Sequence, residues 1–101
     1  MTEAESIRGQ VFPSAWDALE DSPAEAANMR MRSELMIAIR QAVAEWGLIQ
    51  AVAARRLEVT QPRLNDLLRG RINNFSLDAL TVLAARAGLD VRIEIERAAA
   101  A

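Results

Sequence analysis

Residues 50–70 read QAVAARRLEVTQPRLNDLLRG, and the fold turns on how this stretch is parsed. Ala53, Ala54 and Leu57 share one face of a helix barely two turns long, and Glu58-Val59 breaks it. Thr60 is placed to cap a second short helix, in which Gln61-Pro62 sets proline in the first turn, where its missing N–H costs nothing. Leu64, Leu67 and Leu68 give that helix a buried side, and Gly70 stops it. Two short helices joined by a tight turn, the second opening on polar, arginine-bearing residues, predict a helix-turn-helix. For the second helix to enter a groove roughly 12 Å wide, the first must cross it closely. That crossing needs small residues, Ala53 and Ala54, with Leu57, Val59, Leu64 and Leu67 behind. Gln61, Arg63, Asn65, Asp66 and Arg69 are left outward. Arg, Gln and Asn are the side chains that pair bidentately with guanine and adenine edges.

Upstream, Asp21-Ser22-Pro23 is a break, and Ser22 with Glu25 forms a capping box with proline at the first helical position. A long helix is expected to follow. Its apolar positions Leu35, Met36, Ile39, Val43 and Trp46 make one stripe of a 3.6-residue period, ended by Gly47 as a left-handed cap. Met29, Met31 and Met36 read as core filler, and Trp46 as core. Downstream, Ser76 caps a helix with Leu77, Leu80, Leu83, Ala84 and Ala87 inward, closed by Gly88. The period then changes to two. Val91, Ile93 and Ile95 alternate with Arg92, Glu94 and Glu96, which predicts a half-buried strand. The domain reading is an acidic N-terminal segment with a short helix at 1–21, the DNA-binding unit with its C-terminal strand at 22–97, and a tail at 98–101.

Composition narrows the chemistry. The 101 residues hold no Cys and no His, which removes thiol nucleophiles, Cys/His zinc sites and imidazole proton transfer. Lys and Tyr are absent as well, so all twelve basic residues are Arg, and Schiff-base and P-loop lysines are excluded. No two acids fall in a recognisable catalytic pair, so no enzyme, cofactor, metal or small-molecule substrate is expected. No apolar run of about 18 residues is present to cross a bilayer. The acidic start at Glu3 and Glu5 is the wrong leader for a signal peptide. A cytoplasmic, nucleoid-associated protein is the expectation.

The formal charge is −2, with an uneven distribution. Residues 1–28 carry Arg8 against Glu3, Glu5, Asp17, Glu20, Asp21 and Glu25, a balance of −5. Between Gln50 and Phe75, Arg55, Arg56, Arg63, Arg69 and Arg71 face only Glu58 and Asp66, a balance of +3. Phosphate contacts act within a Debye length of about 8–10 Å, so a local patch matters more than the average. Arg55 and Arg56 also fit an ordinary solvated face, and Asp66 fits a salt bridge to a neighbouring Arg.

The stretch from Gln50 to Leu68, with the following Arg-Gly-Arg-Ile-Asn-Asn-Phe-Ser-Leu-Asp run, resembles the Xre, or lambda-repressor-like, helix-turn-helix family. The wider pattern resembles its HigA-like antitoxin subset: Val11-Phe12, Ala15-Trp16-Asp17-Ala18-Leu19, Ala27-Asn28-Met29-Arg30-Met31-Arg32-Ser33, Thr60-Gln61-Pro62-Arg63 and Phe75-Ser76-Leu77-Asp78-Ala79-Leu80. The resemblance implies a mainly α, lambda-repressor-like helix-turn-helix bundle with one C-terminal β-strand, acting as a repressor on double-stranded operator DNA. By position it makes Gln50 a phosphate contact, Gln61, Arg63 and Asn65 base-facing, and Arg69 and Arg71 backbone contacts, with Thr60 at the start of the recognition helix. It further implies a type II toxin-antitoxin operon and a basic RelE/HigB-like toxin as partner. Two departures stand out. Ile49 replaces the usual Ser or Thr cap before Gln50, at about 0.5–2 kcal/mol. Glu58 replaces the usual turn glycine, at roughly 1–2 kcal/mol of left-handed strain.

Two questions stay open at this level. The strand needs a partner, either Gln10-Val11-Phe12 of the same chain or the same strand of a second copy. In an antiparallel self-pair centred at Ile93, Arg92 lies opposite Glu94; centred at Glu94, it lies opposite Glu96. The expectation is a homodimer through Val91, Ile93 and Ile95. The apolar cluster Val11, Phe12, Trp16 and Leu19 either docks on its own domain or engages the toxin. A stand-alone phage-repressor-type regulator and a protein-binding adaptor on the same scaffold are the alternative functions.

Overall fold

A computed structural model describes residues 22–99. The chain divides into two units, residues 1–31 and residues 32–101. The expected short helix and the cluster Val11, Phe12, Trp16 and Leu19 lie outside the described residues. The element order is α1 (Pro23–Trp46), α2 (Gln50–Leu57), α3 (Gln61–Leu68), a 3₁₀ turn (Ile72–Asn74) and α4 (Leu77–Arg86).

In the first unit, α1 begins where the sequence signals it: Ser22 Oγ accepts a bond from the Glu25 amide at 3.0 Å. Met31 is exposed there, so its reading as core filler fails. The stripe holds in the second unit. Met36, Ile39 and Val43 are buried, with Leu35, Ala42 and Trp46 packed beside them, and Gly47 ends the helix at φ +62°.

The core of the second unit joins that stripe to Ala53, Ala54, Leu57, Leu64, Leu67, Phe75, Leu80, Leu83, Ala84 and Ala87. Alanine at 53 and 54 does what the crossing requires, since α2 packs on both α3 and α4. Phe75 is among the largest fully buried side chains. It stands immediately before the Ser76 cap and five residues before Leu80, the N′ and N4 positions of a hydrophobic staple, and Val59 and Leu64 repeat this around Thr60. Arg32 of α1 donates from Nη1 to the carbonyls of Ile72 and Phe75 at 3.3 and 3.5 Å, which ties the 3₁₀ turn to the long helix.

Three helix ends use one hydrogen-bond pattern, in which a left-handed residue past the helix and the residue after it donate back to its last carbonyls. After α2, Glu58 donates to Arg55 O and Val59 to Ala54 O. After α3, Gly70 donates to Leu67 O and Arg71 to Asp66 O; after α4, Gly88 donates to Ala85 O and Leu89 to Ala84 O. Glu58 takes up the left-handed conformation at φ 60°, ψ 42°. The turn is therefore left-handed at a position that glycine would occupy with less strain.

The expected strand is not formed among the described residues. Residues 89–99 carry no strand assignment, and Val91, Ile93 and Ile95 are 43, 84 and 88% exposed. The physical reason is that a strand is defined by its ladder, and none of the described residues pairs with this one.

Candidate nucleic-acid interface

The candidate surface is built on α3, and its start is fixed by Thr60. That residue is extended (φ −73°, ψ 160°) and its Oγ1 accepts from the Arg63 amide at 3.2 Å. The cap satisfies one of the three orphan amides left at this helix start, Pro62 having none, and Gln61 and Pro62 beside it are exposed. Asn65 and Asp66 are partly buried and Arg69 is exposed. Gln50, the first residue of α2, is exposed too. Ile49 before it has cap geometry (φ −67°, ψ 155°) but no side-chain cap bond, as the sequence leads one to expect.

The arginines differ sharply in their surroundings. Arg69 and Arg55 have no ion pair or hydrogen-bond partner for their side chains among the described residues, and both are exposed. Arg71 is paired: its Nη1 lies 2.9 Å from Asp66 Oδ1. Asn74 Nδ2 donates to the other carboxylate oxygen at 3.4 Å. Asp66 is thereby occupied as a local acceptor. The guanidinium of Arg56 stacks 4.1 Å from the centroid of Trp46, so Arg56 covers the outer side of that half-buried indole.

Arg63 is the least free of the expected contact residues. Its Nη1 donates to the Asn74 carbonyl at 2.7 Å, and its guanidinium carbon sits 3.9 Å above the Phe75 ring. One successive residue on a helix turns about 100°, which puts Arg63 on the flank of α3 toward the 3₁₀ turn. Pro62, Asp66 and Arg69 fall opposite the buried Leu64 and Leu67. Arg63 keeps its remaining N–H donors, held in a fixed plane.

Two residues that matter here escaped the sequence reading. Phe75 is the platform under Arg63, and its N′ position before Ser76 was the available signal. Arg86 donates from Nη1 to Leu57 O at 3.3 Å and approaches Glu58 Oε1 with Nη2 at 3.6 Å. This contact joins α4 to the turn, and only the tertiary fold reveals it. Among the described residues no group of three acidic, His or Cys side chains could hold a metal ion, and no helix is long and apolar enough to cross a membrane.

A two-helix unit packed through alanines, with a capped, exposed second helix, defines the helix-turn-helix class. A family model described as a helix-turn-helix domain matches residues 18–96. A solved chain assigned to the XRE family of transcriptional regulators superposes with a TM-score of 0.67 at 31% identity, covering 75% of this chain and 91% of that one. No curated protein is significantly similar. The chain belongs to the Xre helix-turn-helix family.

Proposed function

We propose that the protein is a sequence-specific DNA-binding transcriptional repressor that acts on operator DNA as a homodimer and catalyses nothing. The observation that carries this reading is the first turn of α3: capped by Thr60, it holds Gln61 and Pro62 outward, with Arg69 exposed just past the helix's other end. Gln61, Asn65 and Arg63 are the candidate base readers, the last through the donors that Asn74 leaves free. Gln50, Arg69 and Arg71 are the candidate phosphate contacts, with Arg71 held by Asp66. The XRE-family match supports the regulatory reading. The test is a mobility-shift series on the region upstream of the gene at two salt concentrations. Gln61→Ala is expected to relax sequence preference, and Arg69→Ala to flatten the salt dependence. Absence of salt-dependent binding to this region would favour the protein-binding adaptor instead.

The dimer is proposed to form through the C-terminal segment. Its exposed Val91, Ile93 and Ile95 are alternating apolar positions that a strand pairing with a second copy would place on one face. Of the two antiparallel registers, the one centred at Ile93 sets Val91 against Ile95 and Arg92 against Glu94. The one centred at Glu94 places that carboxylate against itself, which favours the former.

The antitoxin role is the finer part of the proposal. It rests on the resemblance of the N-terminal segment, with Val11, Phe12, Trp16 and Leu19 as apolar anchors and a −5 balance over residues 1–28 for steering a basic RelE/HigB-like toxin. Deletion of residues 1–21 is expected to abolish co-purification with such a toxin. A complex that survives the deletion would overturn the assignment of this segment as the toxin-binding part.

A further inference from the structure

The end of α3 is approached by a cation from outside the helix-turn-helix. Arg40, on the exposed side of α1, extends its guanidinium across the backbone that follows α3, so that Nη1 lies 3.2 Å from where a Cβ on Gly70 would sit. Gly70 has φ +73°, which already favours glycine, and a side chain there would press on the end of Arg40. Arg40 thus lies against the backbone turn that carries Arg69 and Arg71 on either side of Gly70 in the chain.

Their charge is unevenly balanced. Arg71 has Asp66 at 2.9 Å. Arg40 and Arg69 have neither an ion pair nor a hydrogen bond for their side chains among the described residues. The negative end of the α3 dipole favours a cation near the last turn. It supplies no acceptor for a planar donor fork, which is what a guanidinium pairs with most strongly.

We propose that Arg40, lying over Gly70, and Arg69, the exposed residue before Gly70 in the chain, form a phosphate-binding pair that takes a phosphodiester of duplex DNA at the C-terminal end of α3. This rests on the DNA-binding reading above and adds to it a contact from α1. Arg40 would not read sequence; it would fix how far α3 enters the groove by holding its far end against the backbone.

The experiment is a titration of operator and unrelated duplexes with the full-length protein between 50 and 200 mM salt, for the wild type and for Arg40→Ala, Arg40→Lys and Arg69→Ala. Each neutralised phosphate contributes about 0.9 to the slope of log affinity against log salt. Arg40→Ala is therefore expected to flatten the slope by about one contact, so that the affinity lost across this four-fold salt range shrinks about 3.5-fold. The effect should be the same on operator and unrelated duplexes. Arg40→Lys should restore most of the slope. A role confined to packing over Gly70 predicts a lowered melting temperature with an unchanged slope, and that result would overturn the proposal. An unchanged slope for Arg40→Ala beside a flattened one for Arg69→Ala would refute the pair while leaving the DNA reading standing. Salt-independent behaviour of the wild type itself would bring down the DNA reading, and the pair with it.

Discussion

The guanidinium of Arg63 lies 3.9 Å above the ring of Phe75 while its Nη1 donates to the Asn74 carbonyl at 2.7 Å. A side chain in the first turn of the recognition helix thereby braces the 3₁₀ turn that leads into α4. Stacking on a ring contributes about 0.5–1 kcal/mol at a partly exposed site, and a hydrogen bond from a charged donor somewhat more. Arg63→Ala is expected to lower stability by about 1 kcal/mol in urea melts without DNA. Arg69→Ala and Gln61→Ala, whose side chains are exposed, should change it by less than about 0.5 kcal/mol. Equal melts for all three variants would show that Arg63 does not brace the turn.

At Ile49 the chain carries a cap position without a cap. The residue is 72% exposed and has the extended backbone of an N-cap, so replacing it sacrifices little burial. Ile49→Ser is expected to stabilise the protein by about 1 kcal/mol, through a bond to an amide in the first turn of α2. A shift in the denaturation midpoint with an unchanged slope against denaturant would register it. A lower midpoint would mean that Ile49 is engaged in a contact worth more than the cap.

Glu58 is the only non-glycine residue with positive φ among the described residues. Comparing Glu58→Gly with Glu58→Ala isolates the backbone, because both lose the same contact to Arg86. The glycine variant should be the more stable of the two by about 1 kcal/mol, the reverse of the order inside a helix. Arg86→Ala removes the ion pair and also the bond to Leu57 O, and is expected to cost about 1 kcal/mol. Thermal melts of the three variants test both statements. An alanine variant as stable as the glycine one would show that the turn changes shape once Glu58 is replaced.

The helical frame is legible in the sequence because each helix announces itself locally. Ser22, Thr60 and Ser76 are caps whose bonds form, and the apolar stripes of α1 to α4 depend only on a 3.6-residue period. What the sequence hides is what depends on distant partners. Arg86 meets Leu57 across 29 positions, and Arg40 reaches Gly70 only because α1 passes the end of α3. Asp66 illustrates an intermediate case: the chain shows three arginines nearby, Arg63, Arg69 and Arg71, and only the fold selects Arg71. The alternation from Val91 to Ile95 is read correctly as a two-residue period. Whether a ladder forms depends on a partner strand, which periodicity does not supply.

That partner is open to a direct test. With Ile93 at the centre of an antiparallel self-pair, Ile93 faces its own counterpart, and two Arg92–Glu94 pairs flank it. Ile93→Asp then sets two carboxylates against each other in the apolar row, and sedimentation at micromolar concentration should show monomer of 11.1 kDa. Arg92→Glu alone should weaken the dimer by opposing two acids at each flank. The double variant Arg92→Glu with Glu94→Arg should recover it, since the exchange recreates both pairs in the same register. Cross-strand charge pairs contribute roughly 0.2–1 kcal/mol each, so two pairs reversed from attraction to repulsion should raise the dissociation constant by about ten-fold. Recovery by the double variant would distinguish this register from the one centred at Glu94. There Arg92 opposes Glu96, and the exchange would leave two acids facing each other.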